Sequence, residues 1–203
     1  MTPVALTAIT DLILAAETLF FAGMLAGVRK QRFSAGWWWA GMLLLLGVAA
    51  LLGGIDHGFF DPLRLPRYFI QRGDWIVLGG TTFCVLMATS RQFLPLRVQR
   101  IVLAIGIVQL AVNVVVDLLI DSFLDVALNY LPVMILLLVV NALNVNRAGR
   151  WEVTAGILIL FTATGFQVAG VDALSPLDHN GLYHLVSMVA VVFLYLGGRR
   201  LKG

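Results

Sequence analysis

The sequence predicts an all-α membrane protein, a single domain over residues 1–203 that forms a bundle of seven transmembrane helices. Of the 203 residues, 60% are hydrophobic and 12% are charged, whereas a soluble domain carries about 25% charged residues. Mean hydropathy is +0.94. Apolar runs such as 42–52 and 135–140 are continuous, which indicates helices, because a membrane strand would alternate and lipid requires backbones satisfied within one segment. At about 20 residues per span, seven spans leave no room for a second domain.

Seven apolar segments justify the helices in chain order. The first carries Asp11 and Glu17, the second ends at Asp56 and His57, and the third begins beside Asp74. The fourth ends near Asp117, and the last opens with Asn180 and His184. Tryptophans at the starts of the second, third and sixth segments are typical of an interfacial aromatic belt. The predicted helices cover residues 4–28, 37–60, 75–90, 101–120, 124–144, 151–170 and 180–198.

The basic residues predict the orientation of the bundle. Eleven of the fourteen lysines and arginines flank the segments on one side, and only Arg64, Arg67 and Arg72 lie on the other. Because cytoplasmic loops retain positive charge, we expect the N-terminus outside and the C-terminus in the cytoplasm. These clusters alternate with apolar segments, so they indicate topology and not a nucleic-acid-binding surface. Residues 61–73 are expected to form the longest outer connection, an interfacial loop or a lid.

Polar residues concentrate in the predicted outer half of the bundle. Ionisable groups at membrane depth are costly, at about 2.5–3.5 kcal/mol each on insertion scales, so they usually face the interior and pair or serve a function. A polar chamber that opens outward is therefore expected. Gln109, Asn113 and Asp117 recur every four residues and predict one inward-facing stripe. For amides such as Gln109, Asn113, Asn129 and Gln167, hydrogen bonding between helices is the favoured interpretation.

The three histidines of the chain, His57, His179 and His184, map to the same outer level of the bundle. Together with Asp11, Asp56 and Glu17, they indicate a metal-binding or proton-handling site. The single cysteine, Cys84, excludes an intramolecular disulfide and a thiolate zinc cluster. A retinal Schiff base is excluded as well, because both lysines lie in predicted cytoplasmic segments.

These features resemble the CREST superfamily of alkaline ceramidases and adiponectin/progestin receptors. Its second-helix motif Ser-x-x-x-His reads here as Gly53-Gly54-Ile55-Asp56-His57, and its last-helix motif His-x-x-x-His reads as Asn180-Gly181-Leu182-Tyr183-His184. His57 and His184 are kept, whereas Gly53 and Asn180 replace a serine and a histidine. The strings TDLILAAE and DHNGLYHLVSM are also similar to small bacterial membrane proteins of this superfamily. The resemblance implies a multi-pass protein of the bacterial inner membrane.

The resemblance further implies a zinc-dependent hydrolase that cleaves an amphiphilic, lipid amide-type substrate. His57 and His184 would bind Zn, with His179, Asp56 or Asp74 as the third ligand, because a hydrolytic zinc site needs three protein ligands and an open position. Asp74 and Asp56 would orient a ligand or take a proton, and Glu17 corresponds to the acid of the first helix. The expected substrate contacts are Asp11, Asp117, Asn180 and Tyr183.

Two alternatives to a hydrolase remain at this stage. The first is a receptor for a lipid or small ligand, or a proton-linked transporter, that uses the same pocket without metal. Gly53 and Asn180 favour it, because neither supplies the group that the family motif requires. The second is haem held between His57 and His184, which a coloured protein would reveal. Membrane lipids and an amphiphilic small molecule are the expected partners.

Overall fold

The computed structural model describes residues 2–28, 31–60, 64–144 and 146–201, and it confirms the all-α prediction. These residues form seven α-helices and one π-helical turn. In chain order they are α1 (Pro3–Val28), α2 (Ala35–Ile55), the π-helical turn (Asp56–Phe60), α3 (Arg64–Phe93), α4 (Leu96–Leu119), α5 (Phe123–Leu143), α6 (Arg150–Val168) and α7 (His179–Gly198). Arg29, Lys30 and Lys202, on which the predicted orientation partly depends, lie outside the described residues.

Polar side chains cap three of the helices. Ser34 accepts a hydrogen bond from the Trp37 N–H at the start of α2, and Ser122 does the same for Leu124 at the start of α5. Asp178 caps α7 through the Gly181 N–H. Each cap satisfies one of the backbone donors that a helix leaves free in its first turn. These helices therefore begin within two residues of the predicted positions, at Ala35, Phe123 and His179.

Six helices in the described residues are long and apolar enough to cross a membrane, as expected of a multi-pass membrane protein. The exception is α3, whose first eleven residues include Arg64, Arg67, Arg72 and Asp74. This helix corrects the predicted outer loop over 61–73, because residues 64–73 are helical and only 61–63 lie outside the described part. Pro66 is compatible with the helix because it lies in the first turn, where the backbone N–H has no intrahelical partner.

The helices pack as a ring in the order α1, α2, α3, α5, α6 and α7, which closes on α1. Helix α4 lies outside this ring, mainly against α3, and most of its apolar side chains are exposed. An apolar exposed surface of this kind is suited to lipid. The core includes Leu25, Leu43, Ile157 and Val191, which are fully buried.

The tryptophans follow the expected aromatic belt only in part. Trp151 is 70% exposed, as an interfacial residue should be, but Trp39 and Trp75 are buried. The Trp39 indole N–H donates to the carbonyl of Leu194 in α7 at 2.9 Å, so this residue joins two helices. Buried indoles need such partners, and sequence position does not reveal which tryptophan has one.

Candidate functional site

A cavity of about 240 Å³ opens at one end of the bundle, between α1, α2, α3, α6 and α7. We call this end, which holds the first turns of α1, α3 and α7, the cavity end. The π-helical turn brings Asp56 and His57 to the cavity wall, and π-helical turns often occur at functional sites. The lining residues are Asp11, Leu14, Leu46, Ala49, Ala50, Gly53, Asp56, His57, Arg67, Gln71, Asp74, Trp75, Leu78, Gln167, Asn180, Tyr183 and His184.

The cavity brings together most of the residues that the sequence singles out as a site. Asp11, Asp56, His57 and Asp74 line it from α1, the π-helical turn and α3, and Asn180, Tyr183 and His184 line it from α7. Glu17, Asp117 and His179 are not among the lining residues. Sequence reasoning did not select Arg67, Gln71 or Trp75, and it assigned Gln167 to helix packing.

His184 is buried and hydrogen-bonded at both ring nitrogens by α1. Its Nε2 lies 3.0 Å from Asp11 Oδ1, and its Nδ1 lies 3.0 Å from Thr10 Oγ1. The Thr10 hydroxyl also lies 2.9 Å from the carbonyl of Thr7 in its own helix. Both nitrogens of the His184 ring are therefore held by side chains of α1.

Gly53 explains how the Asp11 carboxyl fits against α2. A Cβ atom at this position would lie 3.2 Å from Asp11 Oδ2, and a Cβ at Gly54 would lie 2.9 Å from Leu12 Cγ. The two glycines allow α1 and α2 to approach closely. The position at which the resembling family has serine is therefore packed directly against a carboxyl group in this chain.

Asp178 extends the contact between α1 and α7 toward the cavity end. It accepts from the Thr7 hydroxyl at 2.8 Å and from the Gly181 N–H at 2.8 Å. Partial burial raises the pKa of Asp178, but these hydrogen bonds and the nearby His179 and His57 lower it more, so the pKa lies below its usual value. The ionised cap therefore stabilises the folded protein above the pKa of the unfolded state, and this contribution is lost as the pH falls through the folded-state pKa.

Several residues that line the cavity carry buried hydrogen-bond acceptors that lack donors. Asp56 forms an ion pair with Arg67, whose Nε lies 3.3 Å from Asp56 Oδ2. By contrast, within the described part of the chain no donor reaches the buried atoms Asp11 Oδ2, Asp74 Oδ1 or Gln167 Oε1. The Gln167 amide instead donates from its nitrogen to Asn180 Oδ1 at 3.1 Å. Each buried acceptor without a donor costs about 1–3 kcal/mol, so the cavity is suited to a ligand that brings donors.

The implied zinc site can be tested against these contacts. The described residues contain no group of three His, Cys, Asp or Glu side chains arranged to hold a metal ion. His184 would have to break its contact with Asp11 or Thr10 to become a ligand. His179, the first residue of α7, pairs with Asp172 at 3.1 Å. The residues as arranged do not fit a three-ligand zinc site, which stays a prediction.

The polar stripe on α4 contacts neighbouring helices. Asn113 donates to Asp117 at 2.5 Å, and both side chains are buried, as the inward-facing stripe predicted. Gln109 donates to Asn129 Oδ1 of α5 at 3.0 Å, which confirms hydrogen bonding between helices for this pair.

Glu17, on α1, is half-buried.

The chain belongs to a family of unknown function, DUF6962, whose profile matches residues 6–203. No curated protein and no solved structure matches the chain.

Proposed function

We propose that this member of the DUF6962 family is a membrane protein that binds a small organic cation in the cavity at the cavity end. Asp74 supplies the negative charge opposite the cation, and Asp11 and Gln167 supply additional acceptors. This is the metal-free alternative among the functions that the sequence predicts. We also propose that all seven helices cross the membrane and that the cavity opens to the outside, on the argument from basic residues.

The observation that carries this proposal is the set of buried acceptors without donors around one cavity. Charge pairing identifies Asp74 as the anchor among the three carboxyl groups that line it. Asp56 is paired with Arg67, and Asp11 Oδ1 lies 3.0 Å from His184 Nε2. In the described part of the chain, Asp74 Oδ1 has neither an ion-pair partner nor a hydrogen-bond donor. A cation beside it would supply the missing donor or the missing charge.

The remaining wall favours an organic ammonium ion over a bare metal ion. Trp75 and Tyr183 line the cavity beside apolar side chains such as Leu14, Leu46 and Leu78. Aromatic faces attract ammonium groups, with about 0.5–2 kcal/mol per contact, and apolar walls accept the carbon atoms that such a ligand carries. A hard metal ion would instead gain most from a closed shell of oxygen ligands.

The test is a binding measurement on the protein in lipid nanodiscs with methylammonium and tetramethylammonium as probes. We expect saturable binding that Asp74→Asn weakens at least tenfold, because the substitution removes the charge but keeps the shape of the side chain. Asp172→Asn is the matched control, since Asp172 is an exposed carboxylate at the cavity end that does not line the cavity. Equal binding by the wild type and both variants would contradict the proposal, and so would no binding at all.

A zinc-dependent hydrolase of an amphiphilic substrate is the second candidate. Its support is that His57 and His184 line the same cavity as Asp56 and Asp74. Elemental analysis of purified protein separates the two functions. If the protein holds stoichiometric zinc that is lost in both His57→Ala and His184→Ala, the organic-cation proposal is overturned in favour of the hydrolase. Zinc-free protein that binds ammonium ions would support the organic-cation proposal.

A further inference from the structure

A second, smaller chamber of about 60 Å³ lies deeper in the bundle. Its lining is mostly apolar and includes Met42, Val126, Met134 and Leu160. Its lining residues include Thr82 of α3. Thr82 lies eight residues beyond Asp74, or about 12 Å further along the helix axis. We call it the lower chamber. A polar cavity thus lies above an apolar one.

The two cavities share a wall. Leu46, Leu78 and Tyr183 line both of them. Tyr183 comes from α7, one residue before His184, and lines both the cavity of the proposed cation site and the lower chamber. Leu78, which belongs to this wall, lies four residues after Asp74 in α3. A ligand anchored at Asp74 would therefore meet the wall about 6 Å along the helix axis.

We infer that the lower chamber takes the apolar end of the cation bound at Asp74 and that Tyr183 is a specificity-determining residue at its entrance. This inference rests on the proposed function and adds the ligand class, a short-chain alkylammonium ion. A water molecule occupies about 30 Å³ in the liquid and a methylene group a similar volume, so the lower chamber of about 60 Å³ has room for about two methylene groups. About four or five more would span the 6 Å to the shared wall, so a chain of about six or seven carbons should fit best.

The experiment measures the affinity of unbranched primary alkylammonium ions from one to twelve carbons for the protein in nanodiscs. Asp74→Asn is measured in parallel to subtract partition into lipid. We expect Asp74-dependent affinity to rise up to about fourfold per methylene, then to stop rising at about six or seven carbons. Asp74-dependent affinity that does not change with chain length would overturn this inference and leave the proposed function standing. If no probe shows Asp74-dependent binding, both fail.

Two substitutions on α5 test the lower chamber directly. Val126→Phe fills the chamber, so the longest productive chain should shorten by about two carbons while the affinity of methylammonium stays within twofold. Val133→Phe is the matched control, because Val133 is buried on the same helix and lines neither cavity. Tyr183→Leu should let longer chains enter. An unchanged chain-length limit in both Val126→Phe and Tyr183→Leu would overturn the inference.

Discussion

At the residue scale, the imidazole of His184 connects α7 to α1 in the wall of the cavity. Asp11 and Thr10 hold both of its nitrogens, and the Thr10 hydroxyl also lies 2.9 Å from the carbonyl of Thr7. The ring therefore cannot turn without leaving a buried donor or acceptor unsatisfied. Such groups are expensive in a low-dielectric environment, which makes this network a structural constraint on α1 and α7 as well as a part of the cavity wall.

Thr10→Val tests this network, because valine has nearly the shape of threonine but cannot form a hydrogen bond with His184 Nδ1. We expect a loss of about 1–2 kcal/mol in the free energy of unfolding, measured by denaturant titration in detergent micelles. Thr162→Val is the matched control. Thr162 is exposed and its hydroxyl donates to the carbonyl of Leu158 in its own helix, so its loss should stay within about 0.5 kcal/mol. Equal losses for the two variants would contradict the assigned network.

Sequence reasoning predicted much of the site because residue depth follows from helix position. His57, His184, Asp56 and Asp74 were expected at one level and do line one cavity. Direction around each helix was harder to predict. Asn113, which donates to Asp117, packs beside Gly79 of α3, where a Cβ would lie 2.3 Å from Asn113 Nδ2. The contact of Thr10 with His184 joins residues 174 positions apart, and no local pattern indicates such a pair.

At the element scale, glycines determine how closely α6 and α7 pack. A Cβ at Gly156 would lie 2.7 Å from Leu194 Cδ2, and a Cβ at Gly197 would lie 2.5 Å from Val153 Cγ2. Gly149, which precedes α6, has a φ of +82° and faces the carbonyl of Gly197. Close approach of this kind is common between membrane helices, where small residues allow van der Waals contact along the backbone.

Gly149→Ala should lose stability for two reasons, backbone strain and a steric clash, whereas Gly170→Ala should lose it through backbone strain alone. Both glycines have positive φ, so alanine at either position should cost about 1–2 kcal/mol for the left-handed backbone. Only Gly149 also faces a neighbour, since its Cβ would lie 2.8 Å from the Gly197 oxygen, whereas no atom lies within 4 Å at Gly170. We expect thermal unfolding to show Gly149→Ala less stable than Gly170→Ala by about 1–3 kcal/mol. Equal stability would mean that α6 and α7 are not packed this closely.

The extra helical turns at the start of α3 show why the 61–73 prediction was wrong. Three arginines and two prolines in that segment are typical of an exposed loop. In the structure Arg67 pairs with Asp56, and Arg72 bonds to the carbonyl of Ile120 and lies 3.3 Å from Asp121. Such partners come from other elements, so composition alone could not predict them.

At the scale of the whole molecule, hydropathy predicted the helices, but their arrangement depends on contacts that hydropathy does not encode. Periodicity identified seven apolar segments, and seven helices follow in the described residues. Helix α4 is the most apolar of the six candidate spans in the described residues, but apolarity alone does not determine which helices it touches. Exposed apolar surface on α4 is stable in lipid, where the hydrophobic effect does not drive helices together.

The orientation of the ring determines which compartment supplies the ligand, and it can be tested with single cysteines. Cys84 is buried, so the wild type should not react with a membrane-impermeant maleimide in intact cells. Asp172 is exposed at the cavity end and Asn146 is exposed at the opposite end. Because basic residues are concentrated at the opposite end, we expect Asp172→Cys to be labelled in intact cells and Asn146→Cys only after permeabilisation. The reverse labelling pattern would mean that the cavity opens to the cytoplasm. The ligand would then have to be a cytoplasmic cation, with Asp74 still as its anchor.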